Sequence, residues 1–378
     1  MLNRVEHWKF RPHLLFLGGH VQTVAGIYLP RRDAPYRAQQ HFLQADAASP
    51  LEEGDRLVLH EDRPDAWRAG DPVVLLIHGL AGCYRSTYMC RMADKLSSRG
   101  QRVFRMDMRG CGAGQGTARG PTHCGRSEDV ARALRYLAEL APQSPALIVA
   151  FSLSGSLTLN MLAEAGDERI GNFERALAIC PPVDLFDVER RFATRGGRIY
   201  DRFFVKLIWK QVLERWALFP ELAPAKIPPR PKRLRDIDEM VIAPAAGYRS
   251  AAEYYRMTQC GPRMAQVRQR ITIIAAENDP VVPTAPLREY PHGSGIEAVY
   301  VPGGGHLGFI GRPSRDPDHR WLDWRIVDWV EQGRGWPRGE MLRRIDEAAN
   351  GDGANDRVGS NASASERRPL PELSAGRR

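Results

Sequence analysis

The chain lacks the features that mark metal-binding, disulfide-rich and membrane-spanning proteins. Its six cysteines include no CxxC pair and no metal-like spacing with histidine, so we expect structural thiols in a reducing compartment. No uninterrupted apolar run approaches the roughly 18 residues that a spanning helix needs. The segment 1–9 also lacks the long apolar run of a signal peptide. A soluble, cytoplasmic protein is therefore expected.

The chain also lacks a concentrated patch of one charge. Its formal net charge is +9 at pH 7, but the excess is mostly arginine scattered along the whole sequence. Charge spread in this way is typical of a solvated surface rather than of a polyanion site, so we expect no nucleic-acid partner. Hydrophobic residues make up 43% of the chain, which is ordinary for a globular protein with a substantial core.

From Pro72 onward, short apolar runs alternate with helical segments. This alternation predicts a parallel sheet with helices on both faces. Two earlier runs, at 40–44 and 56–60, fit antiparallel edge strands, and Ser127 is expected to cap the helix that follows it. The predicted parallel strands are 73–77, 102–106, 146–151, 176–180, 271–276 and 296–301.

The alternation stops between 181 and 270, where a helix-rich insertion of this size predicts a cap or lid. Its main helix, about 199–216, is apolar over most of its girth. Its apolar residues could pack on the core domain, or could form a roof over an acyl pocket or a membrane-surface contact. The apolar residues expected to be buried are Phe203, Phe204, Ile208, Trp209, Val212 and Trp216.

These patterns divide the chain into five segments. The predicted segments are an N-terminal arm at 1–35, the first part of the core at 36–180, the helical cap at 181–270, the second part of the core at 271–348 and a disordered tail at 349–378. Within the arm, a glycine turn is expected around 17–23. We expect His20 in that turn to be hydrogen-bonded and structural.

The most informative local motif lies at 145–156. A continuous apolar run predicts a buried strand, and Ser152 follows it directly among small residues before a helical segment. This order resembles the nucleophile elbow, in which a strained turn projects a serine hydroxyl from the top of a sheet. The elbow pattern has glycine two residues before and two after the serine. Here Ala150 and Ser154 hold those places, and both are small enough for a tight turn.

Two further polar residues follow predicted strands, Asp279 after 271–276 and His306 after 296–301. The carboxyl ends of parallel strands meet at one edge of a sheet, so these side chains are expected to lie near Ser152. The order serine, acid, histidine is that of the α/β-hydrolase triad. In that arrangement His306 takes the proton of Ser152, and Asp279 fixes the tautomer of the imidazole.

Two backbone N–H groups are expected to hold the oxyanion of the reaction. Leu153 follows the nucleophile, and Leu80 lies in the loop after the first parallel strand. Ser154 is the rival nucleophile, although it lies one turn into the helix, and Glu277 is a rival acid two residues before Asp279. His78 is expected to be structural, or to line the pocket.

Six short motifs resemble those of the YheT-like α/β-hydrolases, the AB hydrolase 4 group, which includes eukaryotic membrane-associated lipases. The resemblance covers about 10–330 and implies an α/β-hydrolase fold with a helical cap insertion. It also implies a serine esterase or lipase-like hydrolase with Ser152, Asp279 and His306 as its triad and with no cofactor. Ala150 and Ser154 depart from the glycines usual in that family. The motifs are at 18–23, 78–82, 109–111, 151–155, 278–280 and 304–309.

The residues and the resemblance together predict a carboxylic-ester hydrolase that acts through an acyl-enzyme on Ser152. The expected partner is a small-molecule ester, of short to medium chain length or linked to glycerol. Two alternatives stay open: an acyltransferase that uses the same triad, and a non-catalytic ligand-binding member of the fold. The oligomeric state also stays open.

Overall fold

The computed structural model describes residues 9–29, 36–45 and 54–332. Its strands are β1 (Gln39–Gln44), β2 (Arg56–Asp62), β3 (Val73–Ile77), β4 (Arg102–Asp107), β5 (Ala146–Phe151), β6 (Phe173–Ile179), β7 (Ile271–Ala276) and β8 (Ile296–Val301). They form one sheet in the order β1-β2-β4-β3-β5-β6-β7-β8. β2 is antiparallel to both of its neighbours, and the other pairings are parallel.

The α-helices cover both faces of this sheet. They are α1 (Gly19–Tyr28), α2 (Thr87–Ser97), α3 (Ser127–Leu140), α4 (Leu153–Ala165), α5 (Leu185–Ala193), α6 (Arg198–Leu218), α7 (Leu234–Ile237), α8 (Ala243–Ala245), α9 (Ala251–Thr258), α10 (Ala285–Glu289) and α11 (Trp321–Glu331). A π-helical turn, Asp238–Ile242, joins α7 to α8.

Strand β3 shows why the sheet is buried on both sides. All five of its residues are apolar and fully buried. Successive side chains of a strand point to opposite faces, and accordingly Leu75 and Ile77 belong to one apolar cluster while Val74 and Leu76 belong to another. The prediction of an α/β fold with a mostly parallel sheet and helices on both faces is confirmed.

Three local predictions are wrong. Ser127 does not cap α3, because the helix begins one residue earlier than expected: Arg126 is its N-cap, and the Ser127 hydroxyl donates to Glu164 at 2.7 Å. The segment from Gly19 to Thr23 is helical rather than a turn. β2 is not an edge strand, since it pairs with β1 on one side and with β4 on the other.

The insertion between β6 and β7 is helical, and α6 is its longest helix. Trp209, Val212 and Trp216 of α6 join the apolar cluster beneath it. Phe203 was expected to be buried but is 38% exposed, because it lies with Ile199 on the outer face of the helix. None of the helices within 9–29, 36–45 and 54–332 combines the length and the apolar composition that a membrane span requires.

Some of the predicted segments fall outside the described residues. The tail expected at 349–378 lies outside them entirely, as do 1–8 and 30–35 of the expected arm. The division of the chain into five segments therefore stays a prediction.

Candidate active site

Ser152 occupies a strained turn between β5 and α4. Its backbone has φ 54° and ψ −118°, a conformation that a residue with a side chain rarely adopts. Such strain costs about 1–3 kcal/mol and is retained where the surrounding structure enforces it. The turn leaves the Ser152 hydroxyl free to point away from the sheet, which is the arrangement of a nucleophile elbow.

Ser154 helps to enforce this turn. Its hydroxyl is fully buried, accepts a hydrogen bond from Phe151 N–H at 2.8 Å and lies 2.8 Å from the carbonyl oxygen of Ile77. The side chain faces the sheet and not the cavity, so the rival nucleophile is turned away from any substrate. Ala150, the other departure from the glycine pattern, is fully buried within β5.

The structure brings the three predicted triad side chains together. The Nε2 atom of His306 lies 3.0 Å from the hydroxyl oxygen of Ser152. On its other side, Nδ1 of His306 lies 2.7 Å from a carboxylate oxygen of Asp279. All three residues are buried. This is the geometry in which a histidine can take a serine proton while an acid holds the imidazole in orientation.

The second carboxylate oxygen of Asp279 is held by the backbone. It accepts hydrogen bonds from the N–H groups of Val281 at 2.7 Å and Val282 at 2.9 Å. These bonds fix the carboxylate so that its other oxygen faces His306. Glu277, the rival acid, instead forms an ion pair with Arg288 and is exposed.

The loop after β3 approaches Ser152 closely. A Cβ atom on Gly79 would lie 3.1 Å from the Cβ of Ser152 and 3.1 Å from the carbonyl oxygen of Phe151. The Gly79 N–H is already used, since it donates to the Tyr88 hydroxyl at 2.9 Å. Among the hydrogen bonds of the described residues, none uses the N–H of Leu80.

Leu80 and Leu153 line the same cavity as Ser152. Leu153 opens α4, and the N–H groups of a helix's first turn have no carbonyl partner within the helix. His78 is fully buried, and its Nε2 accepts from Met108 N–H at 3.2 Å. Burial lowers the pKa of His78, which keeps the ring neutral and suits the structural role that we expected.

Helix α1 supports the loop that carries His306, a role that the sequence did not reveal. The hydroxyl of Thr23 accepts a hydrogen bond from His306 N–H at 2.8 Å. Gln22 bonds both the N–H and the carbonyl of Ile310, at 2.6 and 3.0 Å. Gly19 lies so close to the acid loop that a Cβ there would meet the carbonyl oxygen of Asn278 at 1.8 Å. The motif at 18–23 therefore positions the loops of the site.

His20 of the same motif bonds a residue of the insertion. Its Nδ1 lies 2.9 Å from the hydroxyl of Tyr200 in α6, and the two rings stack. This contact joins α1 to α6 and agrees with the structural role expected for His20.

One cluster near the site has metal-ligand chemistry. Ligand atoms of Cys180, Asp279 and His306 lie within 4.8 Å of one another. The Asp279 oxygens and His306 nitrogens are all committed to the hydrogen bonds described above, and burial raises the pKa of the Cys180 thiol well above its usual range. A neutral thiol is a weak ligand, so the cluster suits the serine relay better than a cation.

Ser152 opens into a cavity of about 940 Å³, counted out to its open mouth. Most of its wall is apolar and comes from the helical insertion on one side and the elbow on the other. Six of these apolar residues are Leu153, Leu185, Val188, Phe192, Phe204 and Ile208. Phe204 and Ile208 belong to α6, so that helix forms part of a roof as well as packing on the core.

Four polar side chains of the cavity wall form two pairs. The hydroxyl of Tyr255 donates to Asp238 at 2.5 Å, and Glu189 forms an ion pair with Arg235 at 2.7 Å. Burial raises the pKa of Asp238 to about 7. Burial also lowers the pKa of His123 to about 3, so this ring is neutral at ordinary pH and adds no charge to the cavity.

Comparison with known proteins agrees with this fold. The sequence profile described as alpha/beta hydrolase fold matches residues 72–313, which is more than half of the chain. The chain belongs to the alpha/beta hydrolase fold family.

Several relatives of this alpha/beta hydrolase carry functional names, and three of them follow. "Putative esterase YheT" of Escherichia coli is 28% identical, covering 85% of this chain and 93% of its own length. Two proteins of Saccharomyces cerevisiae each cover 63% of this chain: "Monoacylglycerol lipase" is 23% identical over 55% of its length, and "Medium-chain fatty acid ethyl ester synthase/esterase 2" is 25% identical over 58%. The predictions of a YheT-like member of the family and of an esterase- or lipase-like enzyme are confirmed.

Proposed function

We propose that this alpha/beta hydrolase cleaves carboxylic esters through an acyl-enzyme on Ser152. The observation that carries the proposal is the continuous relay from Ser152 through His306 to Asp279, with contacts of 3.0 and 2.7 Å. A serine hydroxyl is a weak nucleophile at neutral pH and needs an adjacent base. His306 is the base that lies within hydrogen-bond reach.

In the first half of the reaction, the Ser152 oxygen attacks the ester carbonyl carbon while His306 takes the serine proton. The N–H groups of Leu80 and Leu153 hold the oxyanion. The tetrahedral adduct then expels the alcohol, which receives the proton from His306, and leaves the acyl group on Ser152. In the second half, His306 deprotonates water, the water attacks the acyl-enzyme, and the acid is released as Ser152 regains its proton.

The proposed substrates are esters of short- to medium-chain acids or acyl esters of glycerol. The apolar cavity beside Ser152 supports this proposal, because an acyl chain gains free energy by leaving water for such a surface. Two relatives have names that refer to a monoacylglycerol and to medium-chain fatty acid esters, which supports the same class.

Acyl transfer is the second candidate. The name of one relative joins a synthase to an esterase activity, and the same acyl-enzyme could pass its acyl group to an alcohol in place of water. Product analysis with and without an added alcohol separates the two: a new ester indicates transfer, and free acid alone indicates hydrolysis.

The first test is covalent labelling of Ser152 with a fluorophosphonate. The wild-type protein should be labelled, Ser152→Ala should not, and Ser98→Ala, which removes an exposed serine, should be labelled like wild type. Labelling that persists in Ser152→Ala would overturn the assignment of the nucleophile. A wild-type protein that is not labelled and hydrolyses no p-nitrophenyl ester would favour the non-catalytic ligand-binding alternative.

A further inference from the structure

A second cavity adjoins the one that contains Ser152. It measures about 450 Å³, counted out to its mouth. Four residues line both cavities: Leu80, Thr122, Ile208 and Ile242. Because Leu80 is also the residue proposed to donate to the oxyanion, the second cavity lies beside the reacting centre.

Arg215 of α6 lines this second cavity. Only 7% of the residue is exposed, and its Nε atom has no hydrogen-bond partner. Within the part of the chain that the structure describes, its guanidinium makes no hydrogen bond or ion pair. Burial lowers the pKa of Arg215, yet a guanidinium remains protonated in proteins. The cavity wall therefore contains a buried positive charge with unused donors.

The other arginine of this wall is fully engaged. Arg109 is 1% exposed and bonds both carboxylate oxygens of Asp129 at 2.7 to 3.0 Å. It also bonds Asp55 at 3.2 Å. The negative charge of Asp55 also raises the pKa of Arg215, against the effect of burial. The Asp55 carboxylate, however, already accepts hydrogen bonds from the N–H groups of Arg119 and Gly120, at 2.6 and 3.0 Å.

A buried charge without a partner is costly to a folded protein. The planar guanidinium offers donors whose spacing matches a carboxylate or a phosphate. An anion that entered the second cavity would therefore gain a charge-assisted contact in surroundings that are poor in water. Gln211, one turn before Arg215, adds a neutral polar side chain to the same wall.

We propose that Arg215 binds an anionic group, a carboxylate or a phosphate, on the alcohol part of the ester that Ser152 attacks. The inference rests on the proposed function. The larger cavity is mostly apolar and suits the acyl chain, which leaves the smaller cavity beside Leu80 for the alcohol part. Arg215 would then select esters of anionic alcohols over esters of neutral ones.

The test compares three substrates that share an octanoyl chain and differ only in the alcohol. They are 1-octanoylglycerol, 1-octanoylglycerol 3-phosphate and the octanoyl ester of glyceric acid. The release of octanoate at constant ionic strength gives kcat/KM for each. We expect wild type to prefer an anionic ester by about 10- to 100-fold, the range for a hydrogen bond to a charged group. Comparison of kcat/KM for the glycerol 3-phosphate ester and the glycerate ester shows whether a phosphate or a carboxylate fits the second cavity better.

Arg215→Met should abolish that preference, because methionine keeps the bulk of the side chain and removes its charge. Arg202→Met, on the exposed face of the same helix, should retain it. No preference in wild type, or a preference that survives in Arg215→Met, would overturn the inference. If the protein hydrolyses p-nitrophenyl octanoate but cleaves none of the three glycerol or glycerate esters, the inference is also overturned, while the proposed function stands. Failure on every ester would count against the proposed function itself.

If Arg215→Met does not fold, the inference can still be tested on the wild-type protein. Inhibition of the wild-type chain alone can be measured with glycerol 3-phosphate and with glycerate, with glycerol as the neutral control. Competitive inhibition by an anion and not by glycerol supports the proposal, and equal inhibition by all three overturns it.

Discussion

The hydroxyl of Ser154 lies 2.8 Å from the carbonyl oxygen of Ile77, at the end of the neighbouring strand. Together with the hydrogen bond from Phe151 N–H, this contact ties the turn that carries Ser152 to β3. Glycine at this position would leave the turn without either bond. The serine is therefore a structural part of the elbow.

Replacement of Ser154 tests this role. Ser154→Ala removes the acceptor of Phe151 N–H and the partner of Ile77, and an unsatisfied buried group costs about 1–3 kcal/mol. We expect the free energy of unfolding to fall by that amount. We also expect kcat on an ester to fall roughly 10- to 100-fold, because small misplacements of a nucleophile have effects of this size. Denaturant unfolding and steady-state kinetics measure the two effects.

Ser156→Ala is the matched control for that variant. The Ser156 hydroxyl, two residues further along α4, donates to Pro182 at 2.6 Å and is equally buried. This change should lower stability with little effect on kcat. If Ser154→Ala and Ser154→Gly both turn over like wild type, the serine has no part in the geometry of the elbow.

Asp279→Asn tests the orientation of the imidazole. An amide in place of the carboxylate would present a donor or a weaker acceptor to His306 and favour the wrong tautomer. In a serine protease this change lowers kcat about 10⁴-fold, and we expect a loss of similar order in ester hydrolysis and in labelling by fluorophosphonate.

Glu277→Gln is the control for Asp279→Asn. Its side chain lies two residues away and pairs with Arg288 at the surface, so kcat should not change. If Glu277→Gln lowers kcat more than Asp279→Asn does, Glu277 and not Asp279 is the acid that orients His306.

We expect Asp238 to make the stability of the protein depend on pH. Its pKa is raised from 3.8 to about 7, mainly by burial; the hydrogen bond from Tyr255 opposes the shift, and the charges of Glu189 and Asp201 add to it. Between about pH 4 and 7 the folded protein thus retains a proton that the unfolded chain has released. The free energy of unfolding from this group falls as pH rises through that window.

Asp238→Asn removes this contribution. The free energy of unfolding of the variant minus that of wild type should be larger at pH 8 than at pH 5, as measured by denaturant unfolding at both values. Asp167→Asn changes an exposed carboxylate, and its free energy of unfolding should differ from that of wild type by the same amount at pH 5 and at pH 8. A stability difference for Asp238→Asn that does not vary with pH would contradict the assignment.

The sequence predicted the positions of Ser152, Asp279 and His306 because the rule that brings them together is simple. Each residue follows a buried strand, and the carboxyl ends of parallel strands share one edge of the sheet. Apolar runs of five or six residues are also easily recognised as strands when helical segments separate them. The relation among the three side chains thus followed from local patterns and one rule of topology.

The supporting contacts could not be predicted in this way. Thr23 and His306 are 283 residues apart, and nothing local in either segment indicates that they meet. Arg215 did leave a local signal, because it follows Ile208 and Val212 at helical spacing on the buried face of α6. A charged residue on an otherwise apolar stripe is worth examining as a binding residue.

The support of the His306 loop by α1 has a consequence for how the enzyme is made. A ribosome makes α1 before the elbow with Ser152, and it makes that elbow before the loop with His306. The loop with its histidine emerges 283 residues after the threonine that supports it. Until that loop has emerged, the nascent chain contains the proposed nucleophile without its proposed base, so we expect no ester hydrolysis before His306 has been translated.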